Sequence, residues 1–172
     1  MTKLKFLALA IALLCGATQL SAKDYQVSDF GAKADGITLT LVTGYQDADT
    51  RTAAYEAQKQ TYLARHKSEE EASARAAAIL PEADANEHGT GYAADILSTD
   101  YTAQDTGFAD TRAYQWLTAY AAEYGFILRY PKGKQDVTGI IFEPWHFRYV
   151  GVEIATYIME NSLTLEEYLG VA

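Results

Sequence analysis

The amino-acid sequence predicts an α+β fold: a small, mainly antiparallel sheet flanked by helices, in a single domain. Three observations lead there. Residues 37–43 (ITLTLVT), 91–97 (GYAADIL) and 126–130 (FILRY) have the length and the β-branched or aromatic content of strands. Polar stretches between them carry helix start and stop signals. A hairpin-like turn at 131–134 joins neighbouring strands near the C-terminus, which favours antiparallel pairing.

The chain begins with what reads as an export signal over residues 1–22. Lys3 and Lys5 give it a positive start, and residues 6–15 form an apolar run too short for a comfortable membrane span. Leu20-Ser21-Ala22 supplies a cleavage site, with leucine where a small residue is usual. A retained N-terminal anchor and lipidation of Cys15 are the alternatives. Cleavage after Ala22 removes Cys15, the single cysteine, together with two lysines. Twelve basic residues then face 23 acidic ones, a net charge of −11 against −9 for the whole chain. Such a surface repels nucleic acid and anionic membrane, so neither is expected as a partner, and no stable membrane insertion is expected once the signal is cut. The cleaved domain has no disulfide or thiolate, so any metal must rest on His, Asp or Glu. The expected location is periplasmic, extracellular or cell-wall associated, and the expected state is a monomer.

Residues 23–36 form a polar lead-in, and 37–172 form the domain. A helix is expected over 50–66. Ser68-Glu69-Glu70-Glu71 opens another: Ser68 caps the Glu71 amide, Glu71 reaches back, and three carboxylates suit the positive helix start. Pro81 closes it, and 82–87 form a loop. After a polar loop at 99–107, Asp110 or Thr111 caps a helix running to Tyr124, where Gly125 supplies the stop. Residues 137–143 are expected to form a strand, 146–150 to continue extended and 151–160 to be helical. Thr164-x-x-Glu167 is a capping box for a short last helix.

Of three histidines, His66 ends a lysine- and glutamate-rich helix and reads as a solvated surface residue. His88 lies in Asn86-Glu87-His88-Gly89-Thr90-Gly91-Tyr92-Ala93-Ala94-Asp95, where two glycines let the backbone turn closely. Asp95 sits among alanines and an isoleucine, a costly place for a carboxylate unless it is paired or bound to a cation. His146 lies in Glu143-Pro144-Trp145-His146. Residues 143 and 146 would face opposite sides of a regular strand, but Pro144 bends the chain and can bring them to one site. Taken singly, each cluster also fits a structural reading: an Asp–His pair, or a strand edge with a buried histidine. Together, two imidazoles and a carboxylate make a three-ligand zinc site with an open fourth position, and Glu143 is placed to serve as base.

The segments NEHGTGYAADI and GFILRYPKGKQDVTGIIFEPWHFRYVG resemble the signatures of bacterial D-alanyl-D-alanine carboxypeptidases of the VanY type, zinc metallopeptidases, and the resemblance runs from about Gly44 to Leu169. It implies Zn2+ held by His88, Asp95 and His146, with Glu143 as catalytic base. It also implies that the substrate is the peptide stem of peptidoglycan, cut near its C-terminal D-alanine. An L,D-carboxypeptidase or endopeptidase acting on the same stem, or a zinc-containing cell-wall-binding module without activity, are the alternatives. Gln46, Asn86, Tyr92, Arg129, Trp145 and Arg148 are candidate substrate-binding residues. The sequence departs from the family pattern in three places. Gln46 stands where an arginine is usual, with Arg51 nearby beyond an apparent insertion, Asn86 replaces a serine, and Gly89 replaces a glutamine.

Overall fold

The structure is a computed structural model described over residues 36–80 and 86–172. The export signal, nearly all of the lead-in, and the expected stop at Pro81 lie outside the described residues.

Four strands form one sheet: β1 (Leu39–Thr43), β2 (Ala93–Ser98), β3 (Phe126–Leu128) and β4 (His146–Tyr149). Their order is β1-β2-β4-β3, and every neighbouring pair is antiparallel. The expected α+β architecture is therefore observed. Side chains alternate across the sheet, so the register decides what each face carries. Ala94 pairs with Phe147 and Asp95 with His146. Ala94, Ile96 and Phe147 join the main core with Leu39, Phe108, Trp116 and Leu117. The opposite face presents Asp95, His146 and Arg148. One side of the sheet is thus a hydrophobic core, and the other carries this row of charge beside buried Leu97 and Ile127.

The helices follow their caps. In α1 (Ala48–Leu63), the Asp47 carboxylate accepts the Thr50 amide at 2.8 Å. Arg51 and Tyr55, one turn apart, are its buried residues. In α2 (Glu69–Ala77), Ser68 Oγ accepts the Glu71 amide as expected. The Glu71 carboxylate pairs with Lys67 and Arg75, which offer it charge where the cap backbone offers a neutral amide. Fully buried Ala72 and Ala76 allow α2 to lie close against its neighbours. Thr111, rather than Asp110, caps α3 (Arg112–Tyr120). The chain then tightens into a 3-10 turn over Ala121–Tyr124 and ends at Gly125, whose φ is +84°. A Cβ at Gly125 would stand 2.7 Å from the Tyr149 ring, so both its conformation and its surroundings require glycine.

One expected element is corrected. Residues 137–143 do not form a strand. Gln135–Thr138 makes a single helical turn, α4, and Gly139 closes it at φ +73°. The Thr138 hydroxyl then donates to the Ile140 carbonyl, and residues 140–143 run as a loop. A left-handed glycine ends the β-branched run before it can pair. Helix α5 (Val152–Glu160) buries Ala155 and Ile158 against Ile127. Helix α6 (Leu165–Leu169) starts on the expected reciprocal capping box of Thr164 and Glu167. No helix among the described residues is long and apolar enough to cross a membrane.

Candidate metal centre

The charged face of the sheet ends in a pocket of about 230 Å3. Its walls include His88, Asp95, His146 and Glu143, with Arg51, Gln104 and Tyr130 beside them and Ile79, Leu80 and Trp145 supplying apolar surface. Three separate local structures bring these groups together.

His88 sits in a 3-10 turn over Glu87–Thr90. Asn86 caps the turn by accepting the His88 amide at 3.0 Å. Gly91 ends it at φ +72°, whereas Gly89 has an ordinary backbone, so only the second glycine is required by conformation. The His88 ring Nδ1 lies 2.8 Å from the Gly44 carbonyl oxygen. A carbonyl can only accept, so Nδ1 carries the proton and Nε2 keeps its lone pair. Asp95 lies on β2 and His146 on β4, directly paired. Asp95 Oδ1 is 2.8 Å from His146 Nδ1 and 3.4 Å from His88 Nε2. The Gln104 amide donates to the other carboxylate oxygen, Oδ2, at 3.0 Å.

Glu143 reaches the same pocket through the bend at Pro144. Its backbone N–H donates to Tyr130, its carbonyl accepts from the His146 N–H at 3.1 Å, and its Oε2 lies 3.9 Å from His146 Nδ1. The bend overcomes the two-residue alternation that would have separated the two side chains.

The electrostatics match the burial. Glu143 is 6% exposed, and desolvation pushes its carboxyl up to about 7; the nearby Asp95 and Glu87 charges add to this, while His146 and Arg51 oppose it. Burial would lower His146, but Asp95 and Glu87 outweigh it and raise the ring to about 9. Burial would likewise raise Asp95, but His146 and His88 hold it well below the usual carboxylate range.

One potential donor atom from each of His88, Asp95 and His146 lies within 4.8 Å of the other two. All three side chains are buried. A proton shared between one pair cannot serve all three donors at once, whereas a divalent cation can. Two imidazoles and one carboxylate, with pocket on the fourth side, fit a metal centre that keeps an open position.

The remaining candidates divide. Asn86 and Trp145 line the pocket. Tyr92 is 42% exposed and lies outside it, stacked on Tyr149 with Arg148 over its ring. Arg129 and Arg148 also lie outside the pocket, because half-buried carboxylates claim them. Arg129 bonds Glu87 and both oxygens of Glu166, and Arg148 lies 3.5 Å from Glu87. Gln46 does not line the pocket either; its side-chain oxygen accepts from Arg51 Nη1 at 3.3 Å. Arg51 is 8% exposed, and it lies in the fields of Asp95 and Glu143. The positive charge that Gln46 does not provide therefore enters the pocket from one turn into α1. Glu87, Gln104 and Tyr130 were not among the sequence-derived candidates. Glu87 adjoins His88 in the motif, which is a usable signal; Gln104 lies in a polar loop that offers none.

The model of the VanY family, described as D-alanyl-D-alanine carboxypeptidase, matches residues 21–152. The chain belongs to the VanY family. This VanY-family chain is 39% identical over 138 residues to the putative carboxypeptidase YodJ of Bacillus subtilis (strain 168), covering 80% of this chain and 47% of that protein. It spans about half the length of the curated relatives it matches. Among solved structures it resembles a vancomycin-resistance D,D-pentapeptidase VanY variant in complex with Zn(II), with a TM-score of 0.72, 34% identity, and coverage of 81% of this chain and 76% of that one. It also resembles the LdcB LD-carboxypeptidase, with a TM-score of 0.74, 31% identity, and coverage of 98% and 68%.

Proposed function

We propose that this VanY-family domain is a zinc-dependent D-alanyl-D-alanine carboxypeptidase acting on peptidoglycan stem peptides. The observation that carries the reading is the convergence of His88, Asp95 and His146 on one point, with Glu143 in the same pocket. Similarity to a VanY D,D-pentapeptidase in complex with Zn(II) supports the choice of metal. Export by residues 1–22, with action outside the cytoplasm as a monomer, belongs to the same proposal, as does the absence of nucleic-acid partners.

His88 Nε2, Asp95 Oδ1 and His146 Nδ1 would hold the ion. When bound, zinc supplies Lewis-acid polarisation of the scissile carbonyl and lowers the pKa of the attacking water. Glu143 accepts a proton from that water as oxygen adds to the carbonyl carbon. It returns the proton to the amine as the C–N bond breaks, which releases D-alanine and leaves the shortened stem with a new carboxylate. A carboxyl near 7 suits both transfers at neutral pH. Arg51 contributes positive charge against the negative charge that builds on the carbonyl oxygen. Trp145, Ile79 and Leu80 give the D-alanine methyl group an apolar wall.

The likeness to an LD-carboxypeptidase supports a second reading, cleavage of the bond one residue earlier in the stem. Muropeptides with stems ending in two D-alanines or in one, incubated with and without a chelator, separate the two by product mass. Chelator-sensitive loss of alanine from the pentapeptide supports the first reading. Loss only from the tetrapeptide supports the second. Intact peptides in both arms overturn the peptidase proposal.

A further inference from the structure

Beside His146, starting at Glu87 on the pocket wall, runs a chain of half-buried charge that the mechanism above does not use. His146 Nε2 and Glu87 Oε2 face each other at 3.6 Å, and neither has a hydrogen-bond partner among the described residues. The other Glu87 oxygen accepts from Arg129 Nε at 2.7 Å. The two terminal nitrogens of Arg129 form a fork onto Glu166 at 3.0 and 2.6 Å. Arg129 also lies over the Tyr130 ring, which stacks on His146 with centroids 5.0 Å apart. Glu166 belongs to the last helix, beyond the segment matched by the family model.

We propose that Glu87 is a positioning residue for His146, fixing its imidazole so that Nε2 carries the proton and Nδ1 turns its lone pair to the metal, and that Arg129 and Glu166 hold Glu87 in place. A carboxylate can only accept, so the sole favourable arrangement of the facing pair puts hydrogen on Nε2. Without metal, Asp95 Oδ1 at 2.8 Å accepts from Nδ1; a metal bound there displaces that proton, while the Nε2 proton stays with Glu87. An outer carboxylate on a metal-binding imidazole fixes its tautomer and makes it a stronger donor. Glu87 could not do this if it were mobile. Arg129 makes it rigid, and a bidentate fork onto Glu166 makes Arg129 rigid in turn. The C-terminal helix, far from the pocket in sequence, thereby supports the metal site.

The inference rests on the reading of His88, Asp95 and His146 as zinc ligands and not on which bond is cut. Its test is zinc affinity of the full chain, measured by competition with a chromogenic chelator, together with nitrogen NMR of the His146 ring in the zinc-loaded protein. Glu87→Ala should weaken zinc binding by about 10- to 100-fold, the usual effect of losing an outer partner. Glu87→Gln should recover part of that loss, because its amide oxygen still accepts from Nε2. Glu166→Gln should show a smaller loss than Glu87→Ala. Wild-type ring spectra should report hydrogen on Nε2 and zinc on Nδ1. Affinity in Glu87→Ala within about twofold of wild type, or zinc on Nε2, would overturn the proposal. If Glu87→Ala does not fold, Glu87→Gln decides: several-fold weaker binding supports the role, and wild-type affinity refutes it. A wild-type chain that fails to bind zinc would instead refute the metal-site reading, so the two failures are distinct.

Discussion

Asp95 and His146 are cross-strand partners on β2 and β4, and their side chains meet at 2.8 Å on the charged face of the sheet. The hydrophobic core enforces this pairing. A register slip of one residue would turn Asp95 and His146 into the apolar layer and expose Ala94 and Phe147. The ladder that holds the core together thus also sets the spacing of two of the three side chains proposed to hold the metal. His88 enters from a separate turn tied to the Gly44 carbonyl.

From this follows the behaviour of the ligand variants. His88→Ala and Asp95→Ala should each fold and each lose stoichiometric zinc, because two donors cannot hold the ion as three do. Elemental analysis of purified protein checks this, and unchanged zinc content in either variant removes that residue from the ligand set.

Arg51 should matter more than its place in a polar helix suggests. It is buried in the pocket and held by Gln46. Arg51→Ala should lower kcat by about 10²- to 10³-fold, the range seen when one oxyanion donor is removed. Gln46→Ala removes a hydrogen bond to a charged group and should cost about 1.5 kcal/mol, roughly tenfold in kcat/KM. Steady-state kinetics on a pentapeptide checks both, and wild-type rates for Arg51→Ala would exclude it from catalysis.

These residues mark what was legible in the sequence and what was not. Asp95, Glu143 and His146 could be read because each puts a polar group in an apolar stretch, a cost that calls for a partner, and His88 because it precedes Asp95 in a glycine-bearing segment. Arg51 was in doubt because its place depends on how the loop before α1 folds, and loops carry no periodicity. The strand expected at 137–143 failed for a local reason: its β-branched residues meet a left-handed glycine at 139. Glu166 and Arg129 could not be joined on paper, since 37 residues separate them.

The core beneath the site should be as demanding as the site. Phe147 is fully buried between the two donor strands' apolar neighbours and adjoins His146. Phe147→Ala should destabilise the fold by about 3–5 kcal/mol. It should also weaken zinc binding, because β4 then loses the packing that fixes its register. Denaturant unfolding and metal titration measure the two effects, and a destabilisation below about 1 kcal/mol would contradict the packing described.

Glu143 couples chemistry to a stability cost. Glu143→Gln keeps the shape and removes the base, so kcat should fall by about 10²- to 10⁴-fold while zinc stays bound. In the wild type the acid limb of kcat should lie at or below pH 7, since Glu143 must be ionised to accept a proton and bound positive charge favours that form. In chelator the same residue works against the fold. Its carboxyl rises from 4.5 unfolded to about 7 folded, so the folded state disfavours the ionised form. That penalty is absent below pH 4.5, grows as pH rises towards 7 and is complete above it, amounting to at most about 3 kcal/mol. Metal-free Glu143→Gln should therefore be more stable than wild type at pH 8 and equal to it at pH 4. Denaturant titrations at the two pH values give the difference directly. An advantage that does not change with pH would show that the carboxylate carries no burial penalty, and the raised proton affinity assigned to the base would fall with it.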